Sequence, residues 1–293
     1  MSFKKTACNL IETIFFIHHQ VMMRALKIIE SLKLVTLVCV FDQAIYSKAI
    51  EIQWKDQEKF GSIVLMMGMF HMLMMYMHIL SKRFSDAGMS AILIQSGAIA
   101  EGSVEKALCG KMYNRGVRAY KMMYEAIVRK VLEEIGVNDD GDIVDFDMNT
   151  TFDDVWEENE SLAAKYNKFV DYRFNIMEKG QPLQIFWMSF LEMVELLLNT
   201  LYALRSGDWL LLIECIKLIL PYTFAYDHVN YARYLSAMLG DMLQLPKRFP
   251  NVYNEFLSGR FVAQLTDGSK FSRVETDKVI EMTLNKDTKT PCN

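Results

Sequence analysis

The chain lacks most of the signals that announce a chemistry at once. Its five cysteines, Cys8, Cys39, Cys109, Cys215 and Cys292, are scattered, odd in number and without CxxC spacing. That argues against a disulfide framework and a thiolate zinc site, and it fits a reducing compartment. The five histidines form no set at metal-ligand spacing. There is no glycine-rich phosphate loop, no GxSxG elbow and no Cys/His dyad. Excess positive charge is also missing. The formal net charge of −4 gives no global drive toward nucleic acid, so any DNA contact must come from local basic patches. Lys4-Lys5 followed by Ala7 to Ile17 faintly imitates a secretory leader. Glu12 interrupts its apolar region, however, and no small-residue cleavage site precedes His18-His19. The expected location is nuclear or cytoplasmic, not secreted.

What is present is apolar. The 293 residues are 52% hydrophobic and 23% charged, enough for a sizeable core in one large domain or two smaller ones. No solenoid period and no sharp linker divides them, so a single domain over residues 1–293 is expected. Methionine is frequent, at 21 residues, and clusters between Met66 and Met77. Ser62 to Leu80 is long enough to span a bilayer. But His71 and His78 would be costly at depth, and Phe84 to Gly88 reads as an ordinary helix exit. Trp209 to Tyr226 is spoiled as a span by Glu214, Lys217 and Pro221. Buried core helices are expected in both places, and no membrane partner.

Taken in order, residues from about Thr6 to Glu30 predict an amphipathic helix with Leu10, Ile14, Ile17, Val21 and Leu26 as its apolar stripe. Leu32 to Phe41 is an apolar, β-branched run that predicts a buried strand, ending in Asp42 before helical spacing resumes through Ile52. Asp42 is either the cap of that helix or an acid at the end of a strand, where α/β sheets carry chemistry. Ser62 to Met67 predicts a second strand, with Gly68 and then a helix that leaves His71 near the same edge. A long helix follows from Val104 to Ile135, with Leu108, Met112, Tyr120, Met123, Ile127, Val131 and Ile135 facing inward. Its outer face carries Lys111, Arg115, Arg118 and Lys121, along with Arg129 and Lys130. That is a solvated helix face or a stripe that tracks phosphates.

The acidic stretch from Asp139 to Glu160 fails as a calcium loop. With Gly141 at the loop's glycine, Gly136 falls where the first carboxylate belongs. Helices are then expected over Ser161 to Met177, Leu183 to Arg205, Trp209 to Tyr222 and Asn230 to Leu245, with Pro221 and Pro246 among their stops. A hairpin is expected across Asp267-Gly268, followed by a final helix from Thr276-Asp277 that carries Glu281. Asp227, His228, Asn230 and Tyr231, with Arg233 close by, form a polar and aromatic cluster between two greasy helices. Asp227 and Asn230 suit helix starts, so local capping and packing account for the cluster as readily as a site does. Asp42 and Glu281, if they converge, would suit magnesium, which takes oxygen ligands and keeps waters for the reacting groups.

Several segments together carry a resemblance. They are Val40 to Ala49, Met67 to His71, Lys82 to Gly88, Gly97 to Ser103, Asp227 to Tyr234 and Asp277 to Lys286. Over nearly the whole chain it resembles a large set of mostly uncharacterised, mobile-element-derived open reading frames in cnidarian, fish and other animal genomes. The order of a strand ending in Asp, a second strand with a histidine, a helical insertion and a late helical Glu is also similar to RNase H-like cut-and-paste transposases.

The resemblance implies a mainly α protein with a small β component, a partial RNase H-like α/β core carrying a large helical insertion. Residues 32–88 would be core strands and helices, 89–245 the insertion, and 246–293 the hairpin and terminal helix. It implies Asp42, Glu281 and His71 as catalytic residues, with Asp42 and Glu281 binding Mg2+ if the chain is active and no cofactor otherwise. Lys111, Arg115, Arg118, Lys121 and Arg233 would contact DNA, and the chain could self-associate. The first acid of such a site would precede Leu32, where only Glu12 and Glu30 occur in a helical pattern. Lys278 replaces a glutamine of the relatives. The resemblance therefore implies a fragment, truncated at its N-terminus and inactive alone. The alternatives are a helical interaction protein without catalysis and a membrane-associated helical protein.

Overall fold

The computed structural model describes residues 2–136, 160–264 and 273–282. The acidic stretch after Gly136 and the turn at Asp267-Gly268 lie outside the described residues. The chain is mainly helical with a small sheet. Its contacts gather into two compact units, one of Met1–Ile79 with Leu196–Asn293 and one of Leu80–Glu195. The helical stretch expected over 89–245 is thus shared between them.

The first unit is built on a strand–helix–strand core. Strand β1 (Leu37–Phe41) pairs in parallel with β2 (Ile63–Met67), from Leu37 opposite Ile63 to Phe41 opposite Met67. Both are runs of consecutive apolar residues, as parallel strands covered on two faces require. Every residue of β2 is buried, whereas β1 is only half-buried. The β1 strand starts at Leu37 rather than Leu32, because the preceding helix α1 (Ser2–Ser31) is followed by a turn with Lys33 at a φ of 53°.

Helix α2 (Gln43–Lys55) connects the strands and buries Tyr46, Ala49, Ile50 and Ile52. A short helix α3 (Gln57–Phe60) leads into β2. Buried Gln53 donates from Nε2 to the carbonyls of Phe60 (2.9 Å) and Ile63 (2.7 Å), pinning α2 to the start of β2. Gly68 N–H extends the ladder to the Phe41 carbonyl at 2.7 Å. Helix α4 (Met69–Phe84) follows, so the methionine-rich run divides into a strand and a helix. Met66, Met67, Met69, Met72, Met75 and Met77 are all buried.

The stripe expected on α1 is displaced. Among its described side chains Met22 and Ala25 are buried and Leu26 is half-buried, while Ile17 and Val21 are exposed. The expected positions of Leu10 and Ile14 lie outside the described side chains. The apolar periodicity has two solutions around this helix, and packing against α2 selects the methionine–alanine one.

The second unit begins inside α4. A 3-10 turn (Ser85–Ala87) and Gly88 at a φ of 104° make the expected helix exit. Next come α5 (Met89–Gln95), α6 (Glu101–Leu108), α7 (Tyr113–Glu134), α8 (Glu160–Lys179) and α9 (Pro182–Ser206), which crosses into the first unit. The long helix expected from Val104 is broken between α6 and α7, where Gly110 adopts a φ of 86°. Phe84, Phe186 and Phe190 form the aromatic centre of this unit, with Phe84 at 5.0 Å from each of the other two rings. Arg173 grips Glu195 through two nitrogens at 2.6 and 3.0 Å, and Tyr124 donates to the same carboxylate at 2.8 Å.

The remainder of the first unit is α10 (Trp209–Ala225), α11 (Val229–Arg248), α12 (Pro250–Leu257), the antiparallel pair β3 (Ala263–Gln264) with β4 (Arg273–Val274), and α13 (Thr276–Met282). Pro221 and Pro246 do not stop helices. Both lie inside them, because the buried faces of α10 and α11 hold the chain helical through each ring. Among the described residues one helix, Pro182–Ser206, is long and apolar enough to cross a membrane by length and composition.

Candidate acidic site at the ends of the parallel strands

Two parallel strands end side by side, and their C-terminal ends deliver Asp42 and the segment Gly68–His71 to one edge. Asp42 caps α2. Its Oδ1 accepts the Ile45 N–H at 2.8 Å, and its backbone is extended at φ −61° and ψ 165°. The capping reading of this residue is therefore observed.

The partner that organises the edge comes from the other end of the chain. Asp277, in the first turn of α13, accepts the N–H groups of Phe70 (Oδ1) and His71 (Oδ2), both at 3.1 Å. Its Oδ2 also meets His71 Nδ1 at 2.9 Å. The carboxylate thus sits on the N-terminus of α4, where unpaired N–H groups and the helix dipole both favour negative charge. Its side chain is only 7% exposed. Gly68 makes this approach possible, since a Cβ there would lie 2.8 Å from Asp277 Cβ and overlap its carboxylate. The glycine is needed for space, not for its backbone angles.

His71 is the electrostatic centre of the edge. The hydrogen bond that its ring donates to Asp277 raises its pKa above the usual imidazole value; burial opposes this, while the charges of Asp277, Asp42 and Glu281 add to the rise. Tyr231, on α11, faces the same acids. Burial pushes its phenol well up, with Asp277 and Asp42 contributing. Next to the site, buried Glu275 and Lys278 approach at 3.7 Å, and the Lys278 ammonium lies 5.8 Å from the Phe70 ring centroid. On β1, burial pushes the Cys39 thiol up to about 11, which keeps it protonated and a poor nucleophile.

The hairpin that carries α13 is locked by Arg273. Its guanidinium donates to the Ser206 carbonyl at the end of α9 and reaches the Ser258 carbonyl at 3.5 Å, just past α12. It packs against Gly207 and Gly259, both at positive φ, where a Cβ would come within 2.9 Å. Two helix C-termini thus share one cation, as their dipoles and unpaired carbonyls favour.

The other expected residues are distributed differently. Lys111, Arg115, Arg118 and Lys121 are all exposed in the second unit, and Lys121 pairs with Glu125 at 3.7 Å. Arg233 is exposed in the first unit, over the Tyr234 ring at 5.1 Å. From the cluster at the start of α11, Tyr231 turns toward the acids while Asp227 and Asn230 are exposed. Among the described residues, no three His, Cys, Asp or Glu side chains are grouped as for a metal ion. One oxygen of Asp42 accepts the cap hydrogen bond, and both oxygens of Asp277 accept or meet donors. Sequence reasoning missed Asp277, Gly68 and Arg273. The one available signal was Asp277's place one turn before Glu281, read as a helix start.

Fold and site together describe a mainly helical protein with a parallel strand pair that ends in a carboxylate–imidazole cluster. The chain belongs to the family described as Domain of unknown function (DUF8702), whose model matches residues 5–292. No curated protein and no solved structure matches the chain.

Proposed function

We propose that this chain is a transposase-like protein of mobile-element origin with a partial RNase H-like core, inactive by itself. The ancestral activity on this reading is Mg2+-dependent cleavage and transfer of DNA strands. The observation that carries it is the convergence of Asp42, Asp277 and Glu281 on His71 at the ends of two parallel strands. Open parallel sheets carry their sites at that edge.

Two features support inactivity of the chain alone. Asp277 is committed to backbone and imidazole donors. In addition, β1 has an open edge: among the described residues, Val38 and Val40 have no ladder partner on the side away from β2. A groove of about 510 Å3 runs there, lined in part by Val38, Val40, Val252, Phe256 and Phe261. On this reading a further strand carrying another acid could pair at that edge.

Manganese binding followed by electron paramagnetic resonance tests the proposal, with Mn2+ standing in for Mg2+. Asp42→Asn and Glu281→Gln should each weaken Mn2+ binding, and the first keeps the cap because Asn caps as well as Asp. The chain alone should not nick supercoiled plasmid in Mg2+. Unchanged Mn2+ affinity in both variants, or nicking by the chain alone, would overturn it. The occupied carboxylate of Asp277 favours a second reading, in which the acidic edge is a structural clamp in a helical interaction protein. Unchanged Mn2+ affinity is the outcome that reading expects.

A further inference from the structure

The fold joins two histidines 150 residues apart that show no metal spacing in the sequence. His78 lies on α4 and His228 immediately precedes α11, both within the first unit. Nδ1 of His78 and Nε2 of His228 are 3.4 Å apart, with ring centroids at 5.4 Å and planes at 89°. That distance is long for an N–H···N hydrogen bond, since N–H donors prefer about 2.9–3.0 Å. It matches the edge of a tetrahedral coordination shell. Two imidazole nitrogens each about 2.05 Å from one zinc-sized ion, at the tetrahedral angle, lie about 3.4 Å apart.

The backbone on both sides is already held. His228 N–H donates to the Thr223 carbonyl at 2.9 Å, and the His228 carbonyl accepts Ala232 N–H at 2.8 Å. Tyr222, just before this corner, packs edge-on against Tyr76 of α4 at 5.9 Å. His78 is exposed and His228 half-buried, so the pair lies at the surface.

We propose that His78 Nδ1 and His228 Nε2 bind a late first-row divalent cation of the zinc and copper class, with water completing its shell. Imidazole ligands select such ions over magnesium and calcium, so this site differs in chemistry from the oxygen-rich edge at Asp42. It also lies close to that edge. His71 and His78 are seven residues apart on α4, about 10.5 Å and two turns along one face. Tyr231 lies between the two groups, with its ring 6.5 Å from that of His228.

Isothermal titration of the untagged full chain with Zn2+ and with Cu2+ tests the proposal. One equivalent should bind, Cu2+ more tightly than Zn2+. His78→Ala and His228→Gln should each weaken binding by roughly tenfold or more. A His18→Ala/His19→Ala double variant should leave it unchanged. His78 is exposed, so its variant folds and decides the question even if His228→Gln is destabilised. Retained affinity in His78→Ala, or loss in the His18→Ala/His19→Ala variant instead, would place the cation elsewhere and overturn the assignment.

Discussion

Gly68, Asp277 and His71 make one contact, and each can be tested through the others. Replacing Gly68 by Ala puts a methyl group into the Asp277 carboxylate. Replacing Asp277 by Ala leaves the Phe70 and His71 N–H groups without their acceptor. Each change should cost about 2–3 kcal/mol in urea unfolding. The double variant should cost little more than either single one, because both remove the same contact. Full additivity would show that Gly68 matters for another reason. The pH dependence follows from His71, whose pKa is raised in the folded protein above 6.5. Its contribution is fully present below about pH 6.5 and is lost as pH rises through the folded value. His71→Gln and Asp277→Asn should both flatten the fall in stability as pH rises above about 6.5. At Tyr46 the opposite sign is expected. Its hydroxyl is buried without a hydrogen-bond partner among the described residues, so Tyr46→Phe should be neutral or stabilising by about 1 kcal/mol.

Elements owe their places to a few polar anchors rather than to their own propensities. Arg273 holds the hairpin against the ends of α9 and α12, and the hairpin in turn sets α13 and its two acids. Arg273→Ala should destabilise by about 2 kcal/mol and expose the α13 amides to faster hydrogen exchange. Loss of stability without a change at α13 would show that the helix is positioned independently. Much at this scale was legible in the residues. The apolar run at Leu37–Phe41, the cap at Asp42, the strand at Ile63–Met67 and the late helix at Thr276 all follow from local patterning. What was not legible has physical causes. The apolar period continues smoothly across Cys109 to Met112, so it hides the break that Gly110 makes possible. Pro221 and Pro246 read as stops because local sterics oppose them, and only burial of the surrounding faces overrides that. The α1 stripe was misplaced because a helix with apolar residues on two sides does not say which side will be covered.

For the molecule as a whole, charge is the relevant scale for DNA. With a net charge of −4, the proposed DNA contact would come from local patches such as the exposed Lys111, Arg115, Arg118 and Lys121. Four phosphate contacts give a log–log salt slope no steeper than about −4. Fluorescence anisotropy with duplex DNA should show such a slope, flattened when all four are reversed to Glu. A slope that survives the reversal would put the contact elsewhere. The sequence by itself determined the helical class, the strand–helix–strand start, the methionine-rich core and the acid that ends the first strand. Those are set by local spacing, capping chemistry and apolar run length. The tertiary structure alone decided that Asp277 clamps the start of α4 from 206 residues away, and that His78 meets His228 across 150. Neither pair leaves a periodic or spacing signal, because each depends on where separate elements pack. The strand that ends in Asp42 marks the edge, but its chemistry is set by Asp277, which reaches it only when the chain folds.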